Sequence, residues 1–160
     1  MTKTLPLNLF QATLLFSLCV TLGSAPAGAA EAEKSQQAVQ LKIGTILATN
    51  QADCLDNQLS KLKQQLEVIK YRCYRLIREE SQKGSWQGNT VFEIPGGRRS
   101  LLVTPQELRN NRISLKVRLL EGEKPIVDTT VRFPNKGNFL LGGPAHEGGV
   151  LILSISAMTQ

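Results

Sequence analysis

The sequence predicts an α+β fold that is mostly antiparallel β, a sheet or sandwich, with one strand–helix–strand unit at its N-terminal end. Three observations predict it. Apolar and polar residues alternate over 39–47 and again in most segments beyond residue 88, the period of half-buried strands. Between them, Leu55, Leu59, Leu62, Leu66 and Ile69 recur at spacings of four and three, the stripe of an amphipathic helix. Beyond residue 88, turn-forming residues punctuate the chain at the short intervals of a hairpin-rich β protein.

The first 30 residues stand apart from this pattern. Lys3 is their only charged residue, an apolar run covers Leu14 to Leu22, and the small residues Ala27-Gly28-Ala29-Ala30 follow. A positive start, an apolar middle and an A-x-A site are the marks of a cleavable signal peptide. Polar residues such as Asn8, Gln11 and Ser17 and the helix breaker Pro6 argue against a permanent membrane anchor. Leu18 before Cys19 argues against a lipoprotein signal, which needs a small residue there. Residues 31–37 lack apolar periodicity and are expected to form a flexible tail. Residues 38–158 are then a single mostly β domain in a periplasmic or secreted protein, with no transmembrane helix after processing. Removal of the leader lowers the formal net charge from +6 to +5. This moderate excess favours encounter with anionic surfaces without selecting one.

In the expected domain, Val39, Leu41, Ile43 and Leu47 form one apolar strand face. The helix is expected over 55–68, with Asp53 as its N-cap. A returning strand takes over from Ile69 to about residue 79, parallel to the first if the two share a sheet, since a helix would supply the crossover. Its pattern puts Tyr74 and Leu76 with the wet residues. Ser81 to Ser85 reads as a loop. Thr90 to Ile94 is a short strand, and Ile94-Pro95-Gly96-Gly97 is a turn in which Pro and Gly supply the required angles. Arg99 to Thr104 is a strand ended by Pro105. The clearest alternation sets Ile113, Leu115, Val117 and Leu119 against Arg112, Ser114, Lys116 and Arg118. Hairpin turns at Glu121–Lys124 and Pro134–Gly137 lead to two further strands. A Gly-rich loop, Gly142 to Gly149, precedes the last strand, Val150 to Ala157.

Few residues suggest chemistry. Cys54 and Cys73 remain after processing, and in an oxidising compartment they can form a disulfide. Across a helix of the expected length their separation sits near the limit for a bridge, so two separately buried thiols remain open as well. His146 and Glu147 could form an acid–base pair in the glycine loop. A solvated turn explains them more simply, and a metal site would need more His or Cys ligands. Arg112, Lys116 and Arg118 form a cationic strand face that could take an anionic polymer or lipid headgroups, joined by Arg98, Arg99 and Arg132 if their strands are adjacent. Nucleic acid fits this face poorly because no aromatic side chain interleaves the charges. Asp128 is expected to pair with one of these cations, which favours a surface kept soluble by charge. The glycine loop lacks the Gly-Lys-Ser/Thr of a phosphate loop. No cofactor is implied.

The segments Ile46-Leu47-Ala48-Thr49-Asn50, Tyr71-Arg72-Cys73-Tyr74-Arg75-Leu76, Ile94-Pro95-Gly96-Gly97-Arg98, Val127-Asp128-Thr129-Thr130 and Gly142-Gly143-Pro144 with Gly149-Val150-Leu151-Ile152 resemble small exported bacterial envelope proteins without an assigned function. Gly137 to Gly143 is similar to the Gly-Gly hairpin of secretin outer-membrane channels. The first resemblance implies an envelope location and no activity. The sequence reading is therefore a non-enzymatic cell-envelope domain that binds another envelope protein or assembles with itself. The alternatives are an anion binder through Arg112, Lys116 and Arg118, and an enzyme using His146 and Glu147.

Overall fold

The computed structural model describes residues 38–159. The expected signal peptide and the 31–37 tail lie outside the described residues.

The chain folds as β1 (Val39–Thr49), β2 (Cys54–Leu55), a 3₁₀ segment (Asn57–Leu62), α1 (Lys63–Glu67), β3 (Cys73–Gly84), β4 (Thr90–Ile94), β5 (Arg99–Arg109), β6 (Arg112–Glu121), β7 (Lys124–Pro134), β8 (Asn138–His146) and β9 (Gly149–Met158). These strands form two sheets, ordered β2-β3-β1-β9-β8 and β4-β5-β6-β7. All pairings are antiparallel except the two-residue contact of β2 with β3. The first and last long strands, β1 and β9, lie side by side inside the first sheet. Beyond them the chain meanders, so most pairs close through short hairpins.

The alternation seen in the sequence builds the core. Leu41 and Ile43 of β1, Leu101 and Val103 of β5, Ile113, Leu115, Val117 and Leu119 of β6, and Leu151, Leu153 and Ile155 of β9 are buried in one cluster drawn from both sheets. The space between the sheets is thus filled by side chains, as close packing of two inner faces requires.

The first sheet is also covered on its outer face. The 3₁₀ segment and α1 set Leu59 and Leu66 over Ile46, Ala48, Tyr74 and Ile152. The Tyr74 hydroxyl donates to the Leu66 carbonyl at 2.7 Å and accepts from the Tyr71 amide at 3.0 Å, pinning the end of α1 to the strand below. This corrects the wet assignment of Tyr74 and Leu76. A register irregularity, in which Thr45 faces Arg78 but Ile46 faces Leu76, leaves Ile77 as an extra residue. Ile77 packs on the inner cluster and Leu76 on the outer one. A bulge re-aims neighbouring side chains in this way, and it hides the faces from a simple period-two reading.

Several other expectations change. β1 and β3 are antiparallel, not parallel. The helical piece lies on one sheet face as a short cover, and the chain turns back instead of crossing over. The helix is shorter than expected and is 3₁₀ in its first part; Leu55 leaves the stripe and pairs, with Cys54, along β3. Its N-cap is Asp56, whose carboxylate accepts from the Gln58 amide at 3.0 Å. Asp53 is instead held by the Arg72 guanidinium at 2.9 and 2.7 Å. β3 begins at Cys73 and absorbs most of the expected 81–85 loop, since Ser81 to Gly84 pair with Lys42 to Val39. Pro105 does not end its strand. It is buried opposite Leu115, and the ladder steps past it through an irregularity before Glu107. The tight turn falls at Asn110-Asn111, both at positive φ, a conformation Asn tolerates.

Candidate functional site

Cys54 and Cys73 are directly opposed on the parallel β2–β3 contact, with Cα atoms 4.3 Å apart, and their sulfurs are bonded. The separation estimated across a long straight helix does not apply, because the intervening 18 residues fold back on the sheet instead of extending along one axis.

Arg112, Lys116 and Arg118 do share the outer face of β6, and Arg132 joins them from β7 opposite Ser114. The face is not a clear cationic strip. Asp128 reaches Lys116 at 3.9 Å and Arg118 at 3.4 Å, and Glu107 bonds Arg132. Of the three β6 cations, Arg112 alone has no carboxylate partner among the described residues; it donates to the Arg132 carbonyl at 3.2 Å. Arg99 does not join this face. It lies toward the inner side, binds Glu121 at 3.0 Å and donates to the Ala145 carbonyl at 3.2 Å. Arg98 sits in the β4–β5 turn beside Gly122.

His146 ends β8, with its side chain only 15% exposed, and its Nε2 lies 3.7 Å from the Glu147 carboxylate. The expected Gly142–Gly149 loop is mostly strand. Only Glu147 and Gly148, both at positive φ, form the turn. Gly142 and Gly143 sit where the β8–β9 register slips before Ala145. A methyl on Gly143 would press on the Leu151 backbone at 2.9 Å, so close approach of two strands accounts for glycine there. Nδ1 of His146 faces the Gly96 backbone across the sandwich end. Thus the histidine is packed between two turns.

The sheet edges differ in a way that periodicity did not reveal. β7 carries Pro125 and Pro134 and begins with Lys124, and β8 carries Pro144 and an irregular register. Prolines, lysines and bulges are devices that keep an edge from pairing with another chain. β2 is only two residues long and is fixed by the disulfide. β4 has no proline, lysine or bulge; its protection is limited to its length of five residues, the charge of Glu93 and the Gln82 carboxamide of β3 on the Val91 carbonyl. Its sequence, Thr-Val-Phe-Glu-Ile, is β-forming throughout except for Glu93.

The backbone polarity of β4 follows from one contact. Gln82 Nε2 of β3 donates to the Val91 carbonyl at 3.0 Å, so that carbonyl points away from β5. In an antiparallel ladder the N–H and C=O of one residue point the same way and alternate along the strand. Val91 and Glu93 therefore direct their backbone groups to the open edge, and Thr90, Phe92 and Ile94 direct theirs to β5. An open groove of about 620 Å³ runs beside this edge, lined by Val91, Glu93, Ile94, the Pro95–Gly97 turn, Arg98 and, from β3, Arg78. Val91 is 51% exposed. Glu93 has no ion-pair partner among the described residues. Only the short run of strand-forming residues at 90–94 was legible in advance; that this strand would lie at an edge was not.

No family model, curated protein or solved structure matches this chain.

Proposed function

We propose that this chain is an exported, non-enzymatic domain of the bacterial envelope that engages a protein partner by strand addition at β4. The observation that carries the reading is the contrast among edges: β4 lacks proline, bulge and lysine, and it borders an open groove. Strand addition uses outward backbone groups for affinity and alternate side chains for specificity. The Cys54–Cys73 bridge supports an oxidising compartment, in line with the leader-like first 30 residues. The anionic-ligand reading is weakened by Asp128 and Glu107, which already engage Lys116, Arg118 and Arg132.

The test is site-specific crosslinking in the native envelope. A photoreactive residue at Val91 should capture a discrete protein, and Glu93→Pro should abolish capture. Proline at 93 removes an outward amide and leaves the β4–β5 ladder intact. Equal crosslinking from Thr130, on the proline-flanked β7, would refute docking at β4.

A further inference from the structure

We infer that the segment docking on β4 pairs antiparallel to it and presents a cationic side chain opposite Glu93 and an apolar one opposite Val91, spaced two residues apart. The inference rests on the reading of β4 as the docking edge and adds the chemistry of the partner. Val91 and Glu93 lie on the same face of β4, the outer one, because Phe92 and Ile94 point into the core. A strand laid beside β4 has its side chains opposite these two residues on that same outer face. Glu93 is exposed and without an ion-pair partner among the described residues, so a cation opposite it gains a pair that the isolated chain lacks. Half-exposed Val91 gains burial from an apolar neighbour.

The groove does not favour an acidic segment. Arg78 is already bonded to Glu80 at 3.0 Å and Arg99 to Glu121 at 3.0 Å. Glu93 and Glu123 line the groove beside Arg98. The antiparallel direction makes the partner motif cationic-x-apolar from N to C, and antiparallel pairing is the slightly stronger of the two. The middle residue turns to the core side of the sheet, as Phe92 does. To bind, the segment displaces the Gln82 carboxamide from the Val91 carbonyl.

The probe is a labelled peptide, Ser-Thr-Lys-Thr-Val-Thr-Thr-Ser, compared with the same peptide carrying Glu in place of Lys. Binding is read by anisotropy and by amide shifts of β4 in the full mature chain. The Lys peptide should bind about fivefold tighter than the Glu peptide, the ratio expected when a cross-strand pair changes from attraction to repulsion. In Glu93→Lys the preference should reverse. If Glu93→Pro abolishes binding of both peptides but Glu93→Lys leaves their ratio unchanged, docking at β4 stands and the cationic partner is refuted. If Glu93→Pro, shown to be folded by its Trp86 fluorescence, binds both peptides as the parent does, docking at β4 fails as well. Absence of binding by either peptide at millimolar concentration overturns the inference. A dimer of the parent chain that Glu93→Pro dissolves would assign the edge to a second copy and likewise overturn it.

Discussion

Removing the Cys54–Cys73 bridge should destabilise the protein by about 3 kcal/mol in the chain-entropy account of cross-links, given the sequence separation of 19 residues. The closed segment contains β2 and then the 3₁₀ segment and α1, the last two covering the outer face of the first sheet. The loss should therefore be felt first there. The perturbation is Cys54→Ala with Cys73→Ala. Cys73 is buried, so a small apolar replacement avoids leaving an unpaired polar group. Denaturant unfolding followed by Trp86, which packs on the inner cluster, reads global stability. Amide exchange of residues 54–72 reads local opening, which in the double variant should become faster than exchange in β6. A loss below about 1 kcal/mol, or exchange that accelerates equally in β6 and in 54–72, would refute the argument that the bridge fastens this cover to the sheet.

Other expectations follow from burial and hydrogen bonding. Leu115→Ala should cost about 2–5 kcal/mol, because Leu115 is fully buried on a central strand. Lys116→Ala should change stability by about 0.5 kcal/mol or less, since its contact with Asp128 is exposed; urea unfolding of both variants checks the pair, and a similar loss in each would contradict the assigned faces. Tyr74→Phe should cost about 1–3 kcal/mol, because it strips the partner from the buried Leu66 carbonyl and the Tyr71 amide. A neutral Tyr74→Phe in a thermal melt would show that water replaces the hydroxyl. For Asp53, the hydrogen bonds from Arg72, aided by charge attraction, lower the carboxyl pKa below its ordinary value. A lowered folded pKa contributes stability above the unfolded pKa, and that contribution is lost as pH falls through the folded one. Asp53→Asn should therefore remove a small part of the acid-side loss of stability and leave the alkaline side unchanged; the exposure of the pair keeps the effect small. An acid limb identical in the two proteins would show that the pair contributes nothing.

Local periodicity carries through to the structure wherever a segment has one wet face and one dry face. Ile113, Leu115, Val117 and Leu119 are all buried, as their alternation requires. The stripe Leu59, Leu62, Leu66 and Ile69 does pack together over the sheet. The tight turns at Gly96-Gly97 and Gly122 lie where glycine permits positive φ. These features depend on near neighbours in the chain, so the sequence by itself determined a mostly β protein with one helical cover, and it put Arg112, Lys116 and Arg118 on one face.

What only the tertiary structure decided is which segments meet. Period two marks Cys73 to Leu76 as strand, but the helical cover on the outer face buries Tyr74, and the bulge at Ile77 sends consecutive residues to different clusters. Asp128 belongs to the β6 face only because β7 pairs with β6 in the register that places it opposite Arg118. Cys54 meets Cys73 because the chain folds back onto β3. β4 is an edge because the sheet ends there, and its outward groups are known only from the reach of Gln82 to Val91. Each of these is a contact between different elements, fixed by register and by the closing of two inner faces on one core, and no spacing within one element encodes it.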